Sequence, residues 1–151
     1  MAAWLLTAAQ ASPVRAEDNL IWTAKASEGL VSLSYGPLDP AKAPLFLLSC
    51  FDAMGIAVLD LRQDIAGAKP GDALTIALSA GDAKAEVRGE AARDDAGMTF
   101  AEASDIAVKP VLEVLRQAGA VTATAGTASA ALSDNGRAEA VERFSKDCPL
   151  E

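Results

Sequence analysis

Pro44-Leu45-Phe46-Leu47-Leu48-Ser49-Cys50-Phe51-Asp52-Ala53-Met54-Gly55-Ile56-Ala57-Val58-Leu59-Asp60-Leu61 is the stretch on which the fold turns. Leu45 to Cys50 is a short, continuous apolar run opened by a proline. It predicts a strand buried on both faces, because a buried helix would need a longer run. Gly55 to Leu61 is the next strand, and Asp52-Ala53-Met54 is short enough to make the two a hairpin.

The same grammar extends outward from this pair. Toward the N-terminus, Leu20 to Ala26 alternates in part, with Ile21 and Trp22 at its start. Leu30 to Tyr35 is a further strand stopped by Gly36-Pro37. Toward the C-terminus, Lys69-Pro70-Gly71-Asp72 is a turn, since proline presets one φ and glycine supplies the positive one. Ala73 to Ala80 places Leu74, Ile76 and Leu78 on one face, and Gly81-Asp82 suits a two-residue hairpin turn. Lys84 to Ala91 alternates charged with small residues and reads as an edge strand. Asp94-Asp95-Ala96-Gly97 is another turn, before a short strand at Met98-Thr99-Phe100.

The period then changes. Pro110 suits the first turn of a helix, Val111, Leu112, Leu115 and Ala118 follow at helical spacing, and Gly119 stands where a helix ends. Val121 to Ala125 and Ala128 to Leu132 form a strand pair across Gly126-Thr127. Ser133 or Asp134 can cap a last helix. There Ala138, Val141, Phe144 and Cys148 fall on one face. Many short antiparallel strands with two late helices predict a mainly β (α+β) fold, a sandwich or partly open barrel with both helices in the C-terminal third.

With 151 residues the chain has the length of one domain. Hydrophobic residues reach 51%, which argues against disorder. Aromatics are only 5%, so the core must rest on Leu, Val and Ile. The formal charge is −8, and no basic patch is visible. A nucleic-acid partner is therefore not expected, since phosphate binding needs clustered lysine and arginine.

Residues 2 to 11 are apolar and small around Trp4, Leu5 and Leu6, and Ser12-Pro13-Val14-Arg15-Ala16 follows. Val14 and Ala16 satisfy the small-x-small cleavage rule of a secretory signal. A signal peptide at 1–16 and a single exported domain at 17–151 are expected. The apolar stretch is too short to span a bilayer, and no other stretch is long enough. The usual basic n-region is absent, which a start codon placed too far downstream would explain. The two cysteines support export independently, because a disulfide persists in an oxidising compartment. Cys50 ends a buried strand and Cys148 ends the last helix. A bond between them would tie down a terminal helix. A redox or nucleophilic thiol fits less well, as the two are no C-x-x-C pair and the chain has no histidine to serve as base.

The absence of histidine also removes the usual catalytic triads and the histidine-containing zinc sites. No Walker loop or dinucleotide fingerprint is present, so no cofactor is expected. Asp94-Asp95 and Asp60-x-x-x-Asp64 are close-set acids, and they lack the ligand spacing of a calcium loop. Trp22 and Tyr35 are strand aromatics able to meet a ligand. Arg62 is a base beside a strand, and these three are the candidate binding-face residues.

Leu115-Arg116-Gln117-Ala118-Gly119-Ala120-Val121-Thr122-Ala123-Thr124 and Ala131-Leu132-Ser133-Asp134-Asn135-Gly136-Arg137-Ala138 resemble the helix, strand pair and closing helix of the invasion-associated locus B family. The start near Trp22, the strand ending in Cys50 and the final Phe144-x-x-x-Cys148 look like the type VI secretion-associated periplasmic proteins of the VasI/TagO kind. The chain departs from the first pattern at Arg137, where an aromatic is usual after the glycine. Either resemblance covers most of residues 20–149 and implies an exported β-rich domain without catalysis.

The expected function is a periplasmic or secreted accessory protein, not an enzyme, that binds an envelope protein or a cell-wall component. One alternative is a small-molecule binding module with an apolar pocket between the sheet and the Pro110–Ala118 helix. The other is a hydrolase that uses a pair of carboxylates drawn from distant positions.

Overall fold

A computed structural model describes residues 19–150; the leader expected at 1–16 lies outside them. The described chain runs β1 (Ile21–Ser27), β2 (Leu30–Gly36), β3 (Phe46–Phe51), β4 (Ile56–Leu61), β5 (Ala73–Ala80), β6 (Ala83–Arg93), β7 (Thr99–Ser104), α1 (Val108–Leu115), β8 (Val121–Ala125), β9 (Ala128–Leu132) and α2 (Arg137–Asp147). Mainly antiparallel β structure with two helices late in the chain is what the strand and turn pattern predicts. The nine strands form one sheet in the order β1-β2-β3-β4-β7-β6-β5-β8-β9, and it does not close into a barrel.

Local turns set the first half of this order. The β3–β4 hairpin closes through a 3-10 turn at Asp52–Met54 and a left-handed Gly55, with Cys50 opposite Ala57. β3 is not buried on both faces as its apolar run suggests. Phe46, Leu48 and Cys50 are buried, and their neighbours are half-covered. The leucines that point outward made a one-sided strand resemble a two-sided one.

The second half rests on two long-range pairings, β4 with β7 and β5 with β8. β6 is not a simple edge strand. Ala83 to Glu90 pair with β5, and Glu90 to Arg93 pair with β7. Gly89 marks the change of partner. A Cβ there would collide with the backbone carbonyl of Glu102, so only glycine permits the close approach at this corner.

One core fills the space between the sheet and the helices. It runs from Leu33, Phe46, Leu48 and Leu59 to Ile76, Leu78, Val121 and Leu132. Each such side chain contributes about 1.5–3 kcal/mol by burial. Pro110 lies in the first turn of α1, where its missing N–H costs nothing. The inward stripe of α2 is Arg137, Ala140, Val141 and Phe144, followed by Cys148; Ala138 points to solvent. Neither Ser133 nor Asp134 caps α2 through its side chain. Gly136, at φ 75°, holds the N-cap position, a left-handed conformation that glycine adopts without strain.

Cys50 and Cys148 form a disulfide across 98 positions of sequence, with Cα atoms 5.9 Å apart. Both residues are buried. The bond fixes the end of α2 to the inward face of β3. Among the described residues no helix is long and apolar enough to cross a membrane.

Candidate functional site

Arg62 follows the last residue of β4, and its backbone N–H donates to the carbonyl of Leu45 at 2.7 Å. Its guanidinium lies over the Phe100 ring, 4.3 Å from the centroid, in a cation–π contact. Its Nη2 donates to Asp94 Oδ2 at 3.0 Å. Asp94 is fixed by its own turn. Its Oδ1 accepts the Met98 N–H at 2.9 Å, and its backbone carbonyl accepts the Gly97 N–H at 3.0 Å. The Asp94–Gly97 turn legible in the sequence therefore serves to aim a carboxylate at Arg62.

A hollow of about 440 Å³ opens beside this pair. Leu20, Pro37, Pro44, Leu45 and Met98 form its apolar walls, and Arg62 and Asp94 stand at its polar end. Asp94 has both oxygens engaged, whereas Arg62 Nε is buried without a partner. That nitrogen is closed to an incoming group; what the hollow offers is the exposed fraction of the Arg62 side chain. Both side chains are about one-fifth exposed, which lets them be reached while water is thinned around them.

Asp60 faces Glu102 across the β4–β7 ladder. Burial, and then the neighbouring Glu102 carboxylate, push the Asp60 carboxyl up to about 6, against the opposing pull of Arg62. Asp60 Oδ1 is buried without a partner. The arrangement favours retention of a proton on Asp60. Glu90, opposite Glu102 on β6, extends the acidic row. Among the described residues no group of His, Cys, Asp and Glu is arranged to hold a metal ion.

The other two candidate residues are placed differently. Trp22 and Tyr35 are 3% and 5% exposed, so neither forms a binding face. Their rings pack at 5.2 Å, and Trp22 also packs on Phe46. Trp22 Nε1 donates to the Ser133 carbonyl at 2.6 Å, and the Tyr35 hydroxyl donates to Ser133 Oγ at 3.2 Å. The polar ends of the two rings find partners in the loop after β9, which is how such side chains tolerate burial. The space between the sheet and α1 is likewise filled: Val108, Val111, Leu112, Val114 and Leu115 are all buried.

Arg137 drew no notice as a functional residue, yet it is 2% exposed. Nε donates to the Leu115 carbonyl at 2.8 Å and Nη1 to the Ser133 carbonyl at 3.2 Å. Nη2 donates to the carbonyls of Gln117 at 2.5 Å and Gly119 at 2.6 Å. Burial holds its pKa below the ordinary guanidinium value, with Asp134 acting in the other direction. One side chain thereby closes the C-terminal end of α1, where helix carbonyls lack internal partners. Its sequence signal is a charged residue directly after Gly136, at the start of a helix whose neighbouring apolar residues face inward.

Comparison with known protein families, curated proteins and solved structures found no match to this chain.

Proposed function

We propose that this chain is a non-catalytic accessory domain of the periplasm or cell exterior, and that it holds an envelope protein or cell-wall component in the hollow beside Arg62. The observation that carries this reading is the combination of apolar walls with a partly exposed guanidinium side chain at one end. Such a site takes an apolar group that presents a carbonyl or carboxylate oxygen. The buried disulfide supports an oxidising compartment. The weak resemblance to exported bacterial domains points the same way.

A photo-crosslinking side chain in place of Met98, in the native host, should give a discrete adduct that disappears on Arg62→Ala. No adduct, or one indifferent to Arg62, would overturn the site. The mature protein should begin at Glu17 by mass spectrometry, and retention of Met1 would overturn export. The second reading is a small-molecule binding module, favoured by a volume of about 440 Å³, within the range of small-ligand pockets. An adduct of small-molecule mass would select it.

A further inference from the structure

The two outer strands of the sheet differ in what covers them. β1 is dressed by the loop before α2: the Trp22 N–H donates to the Asn135 carbonyl at 3.0 Å, and Asn135 Nδ2 donates to the Leu20 carbonyl at 3.2 Å. The helix α2 packs along the same strand. β9 ends the other side of the sheet. Among the described residues its backbone pairs with β8 alone.

An open edge is a template for another strand, and natural proteins usually blunt it with charge, proline or a bulge. Ala128-Ser129-Ala130-Ala131-Leu132 has no charge or proline, and its register with β8 runs unbroken from Ala128 to Leu132. The absence of charge is not general. Charged residues make up 23% of the chain, yet none lies between Arg116 and Asp134, the longest uncharged stretch in the sequence. It covers β8, β9 and the turn that joins them.

We propose that β9 pairs with β9 of a second copy of this chain, antiparallel about a two-fold axis at Ala130. In that register Ala128 lies opposite Leu132 of the other copy and Ser129 opposite Ala131. Asp134 falls opposite Gly126, so no acidic residue meets another. That matters for a chain of net charge −8, whose copies otherwise repel. A two-fold contact is isologous, and β9 meets that condition by itself. The pairing gives partners to the outward-facing backbone groups of Ser129 and Ala131, alternate residues whose neighbours bond to β8. With so short a contact the dimer is weak and concentration-dependent.

Sedimentation velocity over a concentration series should show monomer and dimer in exchange. Ser129 and Ala131 are both exposed, so S129K with A131K leaves the monomer intact and sets lysines opposite lysines across the axis. The dimer dissociation constant should rise at least about tenfold, with the melting temperature of the dilute protein unchanged. S129E with A131E should behave alike. Mixing the two variants should restore a heterodimer in native mass spectrometry, which misfolded chains would not give. A wild type that stays monomeric at every concentration, or a dimer indifferent to the lysines, would overturn the proposal.

Discussion

The seam at β1 and the open edge at β9 bound the same sheet, yet they are built from different materials. The seam is dense with polar side chains that reach backbone groups: Trp22, Tyr35, Asn135 and Arg137 converge on the segment Ser133 to Arg137 or act from it. The open edge consists of alanine, serine and leucine with no such contacts. A sheet edge is thus protected by where the chain turns next as much as by the strand itself. After β9 the chain crosses back to β1 and covers that edge, leaving its own bare.

The largest test of this contrast is Arg137→Ala. It strips hydrogen-bond donors from four backbone carbonyls, that of Ser133 at the seam and those of Leu115, Gln117 and Gly119 at the end of α1, and should lower stability by about 4 kcal/mol, read from urea denaturation. A loss below about 1 kcal/mol would mean that water replaces the guanidinium and that the seam owes its order to packing. Cys148→Ser comes next. The tie closes a long loop and anchors the helix that covers β1, so its loss should cost about 3 kcal/mol and lower the melting temperature. An unchanged value would show that α2 docks unaided. The smallest effect belongs to the middle of the sheet. Asp60, raised from 3.8 to about 6, binds its proton more tightly in the folded chain than in the unfolded one. Its contribution is complete below about pH 4 and is lost as pH rises through about 6. Asp60→Asn cannot ionise, so its stability relative to the wild type should climb across that window by on the order of 1 kcal/mol, allowing for solvent screening. A difference flat with pH would remove the raised Asp60 pKa from the account.

What was legible in the chain was local. The turns at Lys69–Asp72, Gly81-Asp82 and Gly126-Thr127 are written in residues with few alternative conformations, and the strands between them followed. The pairing of β4 with β7 and of β5 with β8 was not legible, because a strand's alternation tells which face is buried and not which strand lies beside it. Arg62 stood out as a base beside a strand, and Asp94 as part of a turn. Nothing in either neighbourhood announced that they meet across 32 positions. Trp22 and Tyr35 were misplaced for a related reason. An aromatic with a polar tip suits a ligand face and a core alike until its partner is known, and here the partner, Ser133, lies 111 and 98 positions away. Helical periodicity counts arginine as solvent-facing, which puts Ala138 in the inward stripe where the structure has Arg137.

The disulfide and the seam join residues that are far apart in the order of synthesis. A chain that emerges N-terminus first presents β1 early, but Ser133, Asn135, Arg137 and Cys148 arrive only after β9. Until then Cys50 has no partner and the outer side of β1 has no cover. The hairpins can form beforehand, whereas the complete domain waits for its tail. Order of appearance is thereby built into the topology: the first strand stays uncommitted until the last helix is available.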